Sequence, residues 1–87
     1  MRRYWFRFDG IGPYDPLQRG CGVTAYSYED ALAILGQTVF KEQGVLAVAE
    51  VIEDVDIRTL DQGHAIPNME APVWRGVWYP KGHRRTW

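Results

Sequence analysis

The 87-residue chain predicts an α+β fold, a three- to four-stranded, mainly antiparallel sheet with one helix packed on one face. Three observations carry this. Arg3-Tyr4-Trp5-Phe6-Arg7-Phe8 alternates between two faces, a run after Ser27 repeats its apolar residues at spacings of three and four, and Val45 to Glu53 is a valine-rich stretch of strand length. In chain order the pattern reads β-loop-β-α-β-loop-β.

The first strand, residues 3–8, sets Tyr4, Phe6 and Phe8 on one face and Arg3, Trp5 and Arg7 on the other. From Asp9 to Gly20, Gly10, Gly12, Pro13, Pro16 and Gly20 punctuate the chain too densely for a regular element to cross it. Residues 22–26 read as a short second strand. Ser27 then has the character of a helix N-cap, with Glu29 and Asp30 in the positive first turn. The helix is expected from Tyr28 to about Gln43, with Ala31, Leu32, Leu35, Val39 and Phe40 forming its apolar stripe and Gly44 stopping it. Gly36 is its weak point, costing roughly 1 kcal/mol in a helix interior. Residues 45–53 offer apolar side chains to both sides, as a central strand does. Residues 54–72 are acidic and turn-forming, and residues 73–79 make the last strand, ended by Pro80.

Composition bounds the possibilities. A chain of this length forms one small domain, 1–87, of marginal burial. Cys21 is its only cysteine, so no internal disulfide adds stability, and a lone thiol suits a reducing, cytoplasmic setting. No apolar run approaches a membrane span. Net charge is -1, but Arg2, Arg3 and Arg7 and then Lys81, Arg84 and Arg85 make both ends basic, while all eleven carboxylates lie between them. Residues 81–87 lack periodicity and are expected to form a flexible basic tail.

Few residues suggest chemistry. Cys21 lies between two glycines before the helix, where a thiol can be activated, yet neither His64 nor His83 stands in a sequence relation that would make it the base. Asp54, Asp56, Asp61 and His64 could hold a divalent ion, but match no established ligand spacing and are better explained as solvated strand-edge and turn carboxylates. Gly10-Ile11-Gly12 fails as a phosphate loop because Pro13 follows and no helix begins there. No metal, cofactor or catalytic residue is expected. Trp74, Gly76 and Trp78 would share one strand face, either as a slot for a planar ligand or as packing around a close helix approach.

Gly22-Val23-Thr24-Ala25-Tyr26 with Glu29-Asp30-Ala31-Leu32, Asp54-Val55-Asp56 with Thr59-Leu60-Asp61, and Pro67-Asn68-Met69 with Arg75-Gly76-Val77-Trp78 follow one another along most of residues 3–80. In this order they resemble a family of small uncharacterised bacterial proteins. The resemblance implies a bacterial origin and a self-contained domain, and brings no activity, ligand or partner.

A shortage of helix decides the functional expectation. One helix covers one face of a sheet, and the opposite face would carry Trp5 and other apolar groups. The chain is therefore expected to be a non-enzymatic interaction or assembly module, a homodimer or the partner of another bacterial protein, with Trp5, Arg7, Arg75 and Tyr79 on the contact face. The alternatives are single-stranded nucleic-acid binding through the same basic and aromatic face, and a small hydrolase-like enzyme using His64 with nearby aspartates.

Overall fold

The computed structural model describes residues 1–12, 15–42, 44–60, 63 and 69–80. Within them, strands β1 (Arg2–Phe8), β2 (Cys21–Ala25), β3 (Val48–Glu53) and β4 (Gly76–Tyr79) form an antiparallel sheet in the order β3-β1-β2-β4. Helix α1 (Tyr28–Gln37) lies between β2 and β3 in the chain, giving the predicted α+β architecture. No helix among the described residues is long and apolar enough to cross a membrane.

The alternation in β1 sorts the core. Tyr4, Phe6 and Phe8 point toward α1 and join Cys21, Val23, Ala25, Ala31, Ile34, Leu35, Phe40 and Val77 in one buried cluster. Helix α1 starts where the sequence places it: the Ser27 hydroxyl accepts the Asp30 N–H at 3.1 Å, and the Asp30 carboxylate accepts the Tyr26 N–H at 3.0 Å. It ends at Gln37, well before the expected Gln43. Just beyond Gly36, the Thr38 hydroxyl donates to the Ile34 carbonyl and its N–H to that of Leu35, which turns the chain. Phe40 can then fold back edge-on against Phe8, with ring centroids 4.9 Å apart. Residues 9–20, expected to be irregular, hold a 3-10 turn at Pro16–Arg19 that sends Leu17 into the same cluster.

Strand β3 differs from expectation in place and length. It begins at Val48 and lies at an edge of the sheet, paired with β1, whereas its apolar residues had predicted a central position from Val45. Only Val48 and Val51 are even half-buried; Ala49, Glu50, Ile52 and Glu53 are exposed.

The second face of the sheet has a core of its own. Trp5, Val55, Leu60, Trp78 and Tyr79 are buried together, with Ile57 and Met69 packed against them. Trp5 has its ring centroid 5.8 Å from that of Trp78 and 5.4 Å from that of Tyr79. Two glycines make room for the indoles. A Cβ on Gly22 would meet the Trp78 ring at 2.5 Å, and one on Gly20, at φ +126°, would meet the Trp5 ring at 2.5 Å. A bulge adds the third ring. Gly22 pairs with Tyr79 and Val23 with Val77, leaving Trp78 as the extra residue, so Trp78 and Tyr79 fall on the same side while Val77 turns toward α1. Strict alternation along residues 73–79 would set Val77 and Tyr79 on one face opposite Trp78, and one inserted residue overturns that.

Candidate functional site

The chain itself covers the face that had been assigned to a second molecule. Trp5 and Tyr79 are only 6% and 4% exposed, because residues 55–60 and Met69 lie over them. Arg75 is also engaged: its Nη2 donates to Asp30 Oδ1 at 2.6 Å and its Nε to Oδ2 at 3.0 Å, a bidentate pair at the start of α1. This guanidinium holds the Asp30 carboxyl below the ordinary carboxylate range, helped by the Tyr26 N–H. Of the four residues predicted for a contact face, Arg7 alone stands exposed on the second face. The buried Trp5 ring is likewise closed to base stacking, which leaves the nucleic-acid reading without its aromatic platform on β1.

The tryptophan slot is not assembled either. Trp78 is fully buried and Gly76 opens β4, but Trp74 precedes that strand and is 67% exposed, so the two indoles do not flank Gly76 on one strand face. The Trp78 indole N–H finds no acceptor among the described residues, so this ring contributes by area and not by polarity.

The candidate chemical groups stay apart. Cys21 is buried on the helix face, where desolvation pushes its thiol pKa well up and leaves it unreactive. Asp54 accepts from Arg2 at 3.3 Å, and Asp56 binds Arg58 through both of its oxygens. No group of three metal-capable side chains occurs among the described residues. Asp61, His64 and His83 lie outside those residues, as does the basic segment 81–87.

What the structure does gather is an apolar end of the sheet. Pairing of Arg2 with Ala25 and of Thr24 with Gly76 brings the start of β1, the end of β2 and the start of β4 to the same end. Met1, Tyr26, Val73 and Trp74 adjoin these strand ends, and all four are exposed. Beside them a recess of about 370 Å³ is lined by Met1, Arg3, Thr24, Asp54, Val55, Pro72 and Val73. Thr24 builds its wall. Among the described residues it is the buried polar side chain of the core, and its hydroxyl donates to the Pro72 carbonyl, tying residues 72–74 across the sheet end. The Asp30–Arg75 pair anchors the next residue, and the Arg75 guanidinium lies 5.6 Å from the centre of the Tyr26 ring. In the sequence, Val73 and Trp74 had read as strand, which hid this arrangement.

No protein-family model matches the chain, and neither a curated protein nor a solved structure matches it.

Proposed function

We propose that the chain is a non-enzymatic protein-interaction module that docks through the apolar end of its sheet. The observation that carries this reading is that Met1, Tyr26, Val73 and Trp74 are exposed at one end of the sheet, Met1 and Val73 lining a recess there, while the other described large rings of both sheet faces are buried. Self-association into a symmetric dimer is the reading's simplest form, because one such patch on each copy is self-complementary about a twofold axis. A cytoplasmic location belongs to the same proposal, on the ground that Cys21 is a lone thiol.

The rigidity of the patch supports docking over chance exposure. Thr24 fixes Pro72 and Asp30 fixes Arg75, so Val73 and Trp74 are held between two tethers. A surface ordered in advance loses less entropy when a partner arrives. The experiment is sedimentation velocity over a concentration series, on the full chain and on a V73D variant. The sedimentation coefficient should rise with concentration in the parent and stay at the monomer value in the variant. A parent that is monomeric throughout would rule out self-association.

A further inference from the structure

The two edges of the sheet are treated differently. On the outer side of β4, the Glu70 N–H donates to the Trp78 carbonyl at 2.7 Å, so this edge already has a partner. On β3, backbone pairing runs along the β1 side, and bonds from Asp9 N–H to the Ala47 carbonyl and from Val55 N–H to the Arg3 carbonyl extend it at both ends. Among the described residues nothing bonds to the other side of β3. A strand alternates its N–H and C=O groups between its two sides, so the outward set of β3 is open to one more strand.

The side chains of β3 say which strand fits. Its register sets Glu50 opposite Arg7 and Ile52 opposite Trp5 on one face, and Val51 opposite Phe6 and Glu53 opposite Tyr4 on the other. Glu50, Ile52 and Glu53 are exposed, and Ile52 is 42% so. Among the described residues, Glu50 has no ion pair and Glu53 reaches Arg2 only at 4.0 Å, while Arg2 lies nearer to Asp54. The edge thus shows acid, apolar, apolar, acid, with no positive charge of its own.

We infer that β3 is a strand-addition site for an extended segment of a partner protein in which two basic residues flank two apolar ones. The basic side chains would lie opposite Glu50 and Glu53, and the apolar ones opposite Val51 and Ile52 on alternate faces. The pattern reads the same in either chain direction, so the charges select composition and not orientation. A second copy of β3 is a poor occupant. Antiparallel pairing about this stretch sets Glu50 of each copy against Glu53 of the other, and like charges directly opposite oppose pairing. This strand edge adjoins the recess of the sheet end at Asp54 but runs away from it along β3, and it takes a different partner.

The test is a two-dimensional NMR titration of the isotope-labelled full chain with the end-capped peptide Ser-Thr-Lys-Val-Val-Lys-Thr-Ser, and with the same peptide carrying Glu in place of Lys. The basic peptide should shift the amides of residues 48–53, slow the hydrogen exchange of the outward ones, and bind less as salt rises. The acidic peptide should do none of these. An E50K/E53K variant, altered only at exposed positions and checked for its fold by circular dichroism, should lose about tenfold in affinity for the basic peptide and gain binding of the acidic one. Equal binding of both peptides, shifts confined to the sheet end, or no shift at the solubility limit would overturn the inference.

Discussion

The two faces of this sheet are sealed in different ways. The face toward α1 is filled by many medium-sized groups, such as Val23, Ala31, Ile34, Leu35 and Val77, among the phenyl rings of Phe6, Phe8 and Phe40. The opposite face is filled by three large rings, Trp5 and Trp78 set over glycines and Tyr79 beside them, capped by Val55, Leu60 and Met69, none of which belongs to an α-helix. A buried aromatic ring removes roughly 150–250 Å² from water, so three of them cover what would otherwise need a helix. Covering a sheet is a matter of apolar area, and short segments suffice when the rings are large. The helix face spreads its stability over many replaceable pieces, whereas the tryptophan face concentrates it in a few.

That asymmetry can be broken experimentally, and the largest effect should come from the tryptophan face. Trp78→Ala is expected to cost about 4 kcal/mol in denaturant unfolding, against about 1 kcal/mol for Ile34→Val under the helix. Gly22→Ala should follow at about 2 kcal/mol, because its Cβ enters the Trp78 ring and both neighbours are packed in place. A neutral result would show that the indole can shift and that the glycine is not there for clearance.

Smaller effects sharpen the account at the sheet end. Thr24→Val should cost about 1 kcal/mol by removing the donor to Pro72, and should also weaken any self-association seen by sedimentation. Asp30→Asn should cost a similar amount, about 1 kcal/mol at neutral pH, by loosening Arg75. Its pH dependence has a definite sign. The folded pKa of Asp30 lies below the unfolded one, so its contribution is complete above the unfolded value, about 4, and fades as pH falls through the folded value. Parent and variant should therefore converge in stability in acid. Trp74→Ala should change stability by less than about 0.5 kcal/mol, as an exposed residue does, while reducing association.

Much of the fold was legible in the sequence because local rules governed it. The alternation of Tyr4, Phe6 and Phe8 against Trp5 fixed the sidedness of β1, and Ser27 with Asp30 fixed the start of α1. Where tertiary contacts decided, local pattern failed. Helix α1 stopped early because Phe40 had a place beside Phe8, and β3 went to an edge although its valines would have suited the centre. The candidate site was missed because Val73 and Trp74 read as strand, and the second core was missed for a related reason. Gly20 and Gly22 had been read as flanking a thiol of chemical interest, but Gly20, just before β2, and Gly22, within it, are the clearance for two indoles. A pair of glycines two apart at the start of a strand, with tryptophans on other strands, is a signal of such packing that the sequence does contain. The bulge at Trp78 left no comparable trace, since an unpaired residue is a property of two strands together. Without it, Trp78 was set on the face opposite Tyr79 and the second core went unrecognised.

The most direct test of self-coverage is hydrogen exchange at the indole N–H groups, followed by NMR on the monomer isolated by sedimentation. Trp5 and Trp78 should exchange slowly there, at rates that track unfolding, while the exposed Trp74 should exchange faster than either. Rapid exchange of Trp5 and Trp78 in the monomer, with protection appearing only on assembly, would mean that a second molecule, and not residues 55–60 and Met69, covers the tryptophan face.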